Sequence, residues 1–322
     1  MKKVRASLGT LGVLGMELIT MDNPPTTAYL QLYTDQRCNA NCLFCAQASG
    51  AQSDLKRIAK GWYIPVDLEE VARRLGIAFE KNYLKRVCIQ TALYNGMWKD
   101  LTYLISCLRN KSKIPISVSV FPLSTEKYKE LKKLGVEHLI IPLDACNETL
   151  FNKIKNPFKW KLHLNALERA VNIFGKHKVG THLILGLGES QEDAISLLFL
   201  LQELGVHTAL FAYTPIPRTK LIKKPPSLKH YRIIQIASYL IQKNLIKKDQ
   251  IKFKHGNLID FGIAKKILEK EIENGLPFIT SGCKDCNRPY ATETPLSIYN
   301  YPSKPNKTEI EKIKKQLESF IK

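Results

Sequence analysis

Residues 27–47 read TAYLQLYTDQRCNANCLFCAQ. The first eight, TAYLQLYT, form an apolar run after the turn-rich DNPP and predict a strand buried on both faces. The remainder places Cys38, Cys42 and Cys45 in a C-x3-C-x2-C array. A strand that runs straight into a loop of three thiols decides the reading of the fold. In parallel β–α folds the reactive groups stand in the loops after the strands.

Working outward, the same alternation recurs. The segment 66–82 has helical spacing with Asp67 as its N-cap, 85–93 (KRVCIQTAL) is a strand and 97–110 a helix. Strand 115–121 precedes helix 124–135, with Ser124 as cap and Gly135 at the end. Strand 138–145 and helix 162–177, strand 178–188 and helix 190–205, then strand 207–217 and helix 227–244 complete the series. Serial β–α units with right-handed crossovers give an open doubly wound sheet or part of a barrel. The expected fold class is α/β, a partial (β/α)6 TIM-type barrel with N- and C-terminal extensions. The cysteine loop, LDAC, GLGE and YTPIP all follow or end strands and would crowd one rim. The expected division is 1–26 as N-terminal extension, 27–245 as barrel and 246–322 as C-terminal extension. No repeat or low-complexity segment interrupts it.

The chain has 322 residues, enough for a large core, and no apolar run long enough to span a membrane. Glycines and Glu17 break the apolar start, so residues 1–26 read as a helix or loop of the mature protein rather than a signal peptide. Eight cysteines in so long a chain are not needed as staples, and their clustering suits metal binding in a reducing compartment. A cytoplasmic location is expected. The formal charge of +20, from 49 Lys+Arg against 29 Asp+Glu, is spread as single and paired lysines. No arginine-rich tract or basic–aromatic interleaving accompanies it, so an acidic protein is a better expected partner than nucleic acid.

The three-thiol loop has rival readings. Structural zinc takes four ligands, and no fourth Cys or His is near in sequence. A redox dithiol needs only C-x-x-C. Three thiolates on one loop suit a [4Fe–4S] cube with one iron left open.

CNANCLFC resembles the signature loop of the radical S-adenosylmethionine (SAM) enzymes, C-x3-C-x-aromatic-C. The resemblance implies a [4Fe–4S] cluster on Cys38, Cys42 and Cys45, SAM chelated to the open iron, and Phe44 against the adenine. THLILGLGE resembles the family's strand-five motif, which implies Ile184 at the adenine and Gly186 and Gly188 where the backbone nears the nucleoside. Asp144 stands where a ribose-hydroxyl acceptor is expected, although a helix N-cap is the plain alternative. Thr91 and Tyr213 complete the implied SAM set. YTPIPRT resembles the strand-six segment TPIPGT, with Arg218 in place of the glycine. The family's strand-two Gly-Gly-Glu is missing, and IQTALYN stands there, a departure shared with biotin synthase.

KRVCIQTAL, LDACNE and KVGTHLILGLGE are similar to biotin synthase segments, and Cys88 matches a ligand of its second cluster. The strand-three cysteine of that enzyme is absent, with Ser117 and Ser119 nearby, and Gly180 stands for the strand-five cysteine. Instead LPFITSGCKDCNRP carries Cys283 and Cys286. A lone C-x-x-C is a zinc half-site, a redox dithiol, or two ligands of an auxiliary cluster. For a cluster, Cys88 is the expected third ligand, and Cys146 or Ser281 the fourth. The tail resembles that of the archaeal-type two-subunit lipoyl synthases.

That resemblance implies sulfur insertion into an octanoyl chain on an acidic lipoyl carrier protein or octanoyl-lysine peptide. It also implies a second lipoyl synthase-type subunit, an external electron donor and two four-iron clusters, about eight irons per chain. Two other classes stay open: a different biotin synthase-like radical SAM enzyme of cofactor biosynthesis, and a non-catalytic cluster-bearing partner subunit. Cys107, mid-helix, receives no role, and His182 reads as a core histidine.

Overall fold

The computed structural model describes residues 2–289, 291–294 and 297–321. The chain opens with β1 (Lys3–Ser7) and α1 (Leu8–Val13), followed by β2 (Thr27–Leu32) and the two-residue β3 (Asn41–Cys42) inside the cysteine loop. An edge hairpin, β4 (Arg57–Ile58) and β5 (Gly61–Asp67), leads to α2 (Leu68–Glu80). Then come β6 (Arg86–Gln90), α3 (Met97–Lys111), β7 (Ile116–Ser119), α4 (Thr125–Lys133) and β8 (Val136–Ile140). After α5 (Glu148–Ile154) and the short β9 (Lys155–Asn156) come α6 (Trp160–Phe174), β10 (Val179–Leu185), α7 (Gln191–Glu203), β11 (Val206–Ala212) and α8 (Leu228–Gln242). A hairpin of β12 (Lys252–Lys254) and β13 (Asn257–Asp260), then α9 (Lys265–Asn274) and α10 (Lys307–Ile321), complete the described fold.

The main sheet runs β11-β10-β8-β7-β6-β2-β1-β5-β4. The strands β2, β6, β7, β8, β10 and β11 are parallel, and β1 and β5 add to the β2 edge antiparallel. The result is an open, curled half-barrel flanked by helices, a partial (β/α) barrel with extensions. Four of the helices, α2, α4, α7 and α8, start where the sequence offers a side-chain cap, whereas α3 and α6 start at Gly96 and Lys159 without one. Asp67, Ser124, Ser190 and Ser227 accept the backbone N–H three residues on, and Ser190 with Asp193 closes a capping box. One continuous apolar core runs from Val4 and Leu30 to Ile313 and Leu317.

Two elements differ from expectation. The N-terminus is not only helix and loop: KVRAS forms a strand paired on both sides. Arg5 is buried within it because its guanidinium donates to the carbonyls of Thr34 (2.6 Å) and Leu55 (3.1 Å). Five residues next to a glycine-rich stretch carry too little periodicity to announce a strand. The loop after β8 also holds α5, capped by Asn147, so Asp144 is not a helix cap. Among the described residues no helix is long and apolar enough to cross a membrane.

Candidate active site

The cysteine loop is folded by its own backbone. Cys38 N–H donates to the Gln47 carbonyl at 2.9 Å, and Cys45 N–H to that of Cys42 at 3.0 Å. The Leu93 N–H donates to the Cys38 sulfur at 3.2 Å. Arg37 ties the loop's rear through the carbonyls of Ala46 (3.0 Å) and Ser53 (2.7 Å). From across the barrel, β3 pairs with β9, setting Cys42 opposite Lys155, and Leu221 N–H donates to the Leu43 carbonyl. Burial pushes the Cys42 thiol up to about 12 and Cys45 to about 11, with the neighbouring thiols and Asp144 adding to it.

Beside this loop lies a cavity of about 230 Å³. Phe44, Thr91, Asp144, Ile184 and Tyr213 all line it. Gly186 does not: it takes φ +97°, its N–H donates to Glu189, and a side chain there would overlap Pro226. Asp144 adopts φ 64° and forms a buried ion pair with Lys155, Oδ2 to Nζ 2.9 Å. Lys155 also donates to the Pro142 carbonyl at 2.6 Å. Arg218 has φ 63°, which accounts for the glycine in the related segment.

A second cavity of about 420 Å³ adjoins the first. Cys88, Cys283 and Cys286 border it, so sequence positions some two hundred residues apart meet here. The tail is pinned by long-range bonds. Thr26 donates to the Asp285 carbonyl (2.6 Å), Arg86 to that of Lys284 (3.1 Å), and Arg288 to those of Ser281 and Leu210 (both 3.0 Å). The Arg288 guanidinium lies 3.9 Å from the Phe211 ring centroid. Tyr29 Oη is 3.4 Å from the Cys286 sulfur, and Ser117 Oγ donates to the Cys283 sulfur at 3.5 Å. Burial pushes the Cys88 thiol well up, the two tail thiols adding to it and Arg288 and Arg86 opposing.

Cys146 is placed elsewhere, buried with Glu189 and Asp193 as its charged neighbours. Ser281 accepts from the Leu210 N–H at 2.9 Å. Cys107 lies half-buried in α3. His182 lines both cavities, its ring edge-on to Phe211 at 5.0 Å, and burial lowers it to about 3, so it is neutral. Several site residues carried no sequence signal: Lys155, Tyr29, His207, and the pair Gln31 and Gln47, whose amides bond each other at the cavity wall. Arg288 had one, the CNRP wording around it.

All described cysteines are free. Among the described residues no three His, Cys, Asp or Glu side chains converge tightly enough for a single metal ion. A cube is wider than an ion, with each thiolate on a different iron, so three thiols spread round one loop beside a cavity fit it.

The profile described as the radical SAM superfamily matches residues 33–201, from the end of β2 into α7. The chain belongs to the radical SAM superfamily. An uncharacterized protein of Methanocaldococcus jannaschii is 29% identical over 194 residues, 58% of this chain and 48% of that one. A biotin synthase of Vesicomyosocius okutanii is 26% identical over 227 residues, 68% of each chain. In structure, the FeFe-hydrogenase maturase HydG from Carboxydothermus hydrogenoformans aligns with a TM-score of 0.53 and 19% identity, covering 68% of this chain and 51% of that one. These similarities confirm the partial-barrel fold and a distant kinship with biotin synthase. The chain spans about half the length of the Methanocaldococcus protein and of the maturase.

Proposed function

We propose that this radical SAM protein is a biotin synthase-like enzyme of cofactor biosynthesis that inserts sulfur into an unactivated C–H bond. One observation carries the reading. The cavity that Cys45 of the three-thiol loop borders and the cavity bordered by Cys88, Cys283 and Cys286 share Gln90, His182 and Phe211 in their walls. A substrate carbon at that junction has a radical source on one side and a sulfur store on the other. Cys38, Cys42 and Cys45 would hold a four-iron cluster whose chemistry with SAM would supply the hydrogen-abstracting radical, and Cys88, Cys283 and Cys286 would hold an iron–sulfur group that would supply the sulfide.

The chain's own residues bind, orient and exclude water. Phe44 and Ile184 offer apolar faces for adenine, and Asp144, held by Lys155, offers a carboxylate to the ribose. Phe211 and neutral His182 wall the junction without bringing a charge to it. The outer wall of the second cavity is apolar, with Leu8, Ile19, Met21, Pro25 and Trp62, and admits an aliphatic chain.

The finer reading is lipoyl synthase chemistry on an octanoyl group carried by an acidic lipoyl carrier protein or octanoyl-lysine peptide. The enzyme would work with a second lipoyl synthase-type subunit and an external electron donor in the cytoplasm. The tail wording, the apolar cavity and the charge of +20 support it. The recurrence of biotin synthases among the relatives favours the broader alternative, another cofactor-building member with a different acceptor. The test is the mass of an octanoylated carrier peptide after incubation with reconstituted protein, SAM and reductant, with and without a partner subunit. A gain of sulfur with release of 5′-deoxyadenosine is expected. 5′-Deoxyadenosine without sulfuration would remove the lipoyl substrate, and no SAM cleavage would remove the enzyme reading.

A further inference from the structure

The tail site has three thiols, and an imidazole of the barrel stands beside them. His207 stands in β11 opposite Gly180 of β10. Gly180 is not at a positive φ, so its lack of a side chain serves space rather than backbone. A Cβ there would overlap the His207 imidazole, which occupies that place and lies against the second cavity. The ring is held edge-on by His138, with centroids 5.6 Å apart. Its Nε2 is 3.7 Å from the Cys283 sulfur.

That distance bears on the kind of cluster. Metal–nitrogen and metal–thiolate bonds of about 2.0 and 2.3 Å put two ligands of one tetrahedral centre about 3.5 Å apart. In a four-iron cube each iron takes a single protein ligand, so an imidazole and a thiol so close would compete for one corner. A two-iron cluster takes two protein ligands on each iron and four in all. Cys88, Cys283, Cys286 and His207 make four.

We infer that His207 is the fourth protein ligand of the tail site, sharing an iron with Cys283, and that the site takes a two-iron rather than a four-iron cluster. The inference rests on the proposed second cluster but not on the identity of the substrate. It replaces Cys146 and Ser281 as candidates, since Cys146 is packed with Glu189 and Asp193 and Ser281 already accepts from Leu210.

The test uses the full chain carrying Cys38→Ala, Cys42→Ala and Cys45→Ala, which leaves only the tail site to load. After reconstitution with iron and sulfide, about two irons and two acid-labile sulfides per chain are expected. Pulsed electron paramagnetic resonance of the reduced protein should show a nitrogen coupling that changes when histidine is labelled with ¹⁵N. His207→Cys in the same background should keep the irons, lose that coupling and lower the reduction potential, which a merely structural histidine would not do. About four irons per chain, or a coupling indifferent to histidine labelling, would overturn the assignment while leaving a sulfur-donating second cluster standing. A chain that binds no iron at all in this background would sink both.

Discussion

The two thiol sets of this molecule are built in opposite ways. Cys38, Cys42 and Cys45 lie within eight residues and share one loop, which closes on itself through Cys38–Gln47 and Cys45–Cys42 backbone bonds before β9 and Leu221 brace it from outside. Cys283 and Cys286 are brought to Cys88 by long-range tethers, among them Thr26, Tyr29, Arg86 and Leu210, that hold the tail across the barrel. A local site survives wherever its loop survives. A site assembled from distant segments depends on every tether, and its failure can be separated from failure of the barrel.

The largest expected effect follows from the local set. Changing any one of Cys38, Cys42 or Cys45 to Ala should abolish SAM cleavage, because a cube with two ligands is not retained at a site built for three. The circular dichroism spectrum and the unfolding transition should stay close to those of the parent, since Cys38 is the only one of the three in the buried core and alanine keeps its Cβ there. Continued release of 5′-deoxyadenosine by such a variant would end the radical SAM reading of the loop. The distant set should behave otherwise. Cys283→Ala with Cys286→Ala should remove the second complement of iron and all sulfur transfer, yet spare SAM cleavage. Sulfur transfer that persists in the double variant would break the comparison, because the tail would then not be the donor.

The tethers come next in size. Arg232 of α8 is fully buried and donates to the carbonyls of Ile298 and Tyr299 and to the side chains of Gln235 and Gln316. Its guanidinium lies between the rings of Phe278 and Tyr301, each 5.4 Å away. Arg232→Ala leaves several buried acceptors without a donor and should cost about 3 kcal/mol, read as a lower urea midpoint. Iron at the tail site should fall with it while SAM cleavage continues. Equal losses at both sites would show that the two sets are not independently anchored.

Lys155 probes the local set from the far side. Its backbone pairs with Cys42 and its ammonium holds Asp144. Lys155→Met keeps the backbone pairing and the packing against Phe151 and Phe158 but leaves a buried carboxylate without its cation. SAM should bind about tenfold more weakly, roughly 1.4 kcal/mol, while iron content is unchanged. Unchanged SAM affinity, measured by equilibrium binding to the reconstituted protein, would mean that Asp144 does not face the nucleoside.

The contrast between the sites also explains what the sequence disclosed. The serial strands and their helices were legible because apolar runs and caps such as Asp67, Ser124 and Ser190 are local signals. The cysteine loop was legible for the same reason. The strand at Lys3–Ser7 was not, since its stability comes from pairing with β2 and β5 rather than from its own pattern. Lys155 and His207 were silent because a lone lysine or histidine declares nothing until the fold sets it beside Asp144 or over Gly180. The tail pair announced some chemistry, but only the long-range tethers bring it to Cys88.

The smallest expected effect concerns pH. His163 of α6 is buried among the rings of Phe151, Phe158 and the Lys155 ammonium, and burial lowers it to about 4. Unfolded, the same ring titrates near 6.5. Between those values the unfolded chain holds a proton that the folded chain refuses, so acid favours unfolding. The contribution of this neutral ring is intact above pH 6.5 and is lost progressively as the pH falls toward 4. By pH 5.5 the penalty from this histidine is about 1 kcal/mol. His163→Phe, an aromatic of similar bulk that cannot titrate, should therefore flatten the fall in stability between pH 7 and 5.5 by about that amount. His138, His182 and His207 are lowered by burial as well, so the variant should keep a residual slope. The measurement is the urea midpoint of parent and variant at each pH without added iron, so that cluster loading does not enter. Parallel pH profiles for the two proteins would mean that His163 carries no linked proton and that the acid sensitivity lies wholly in the histidines of the barrel strands.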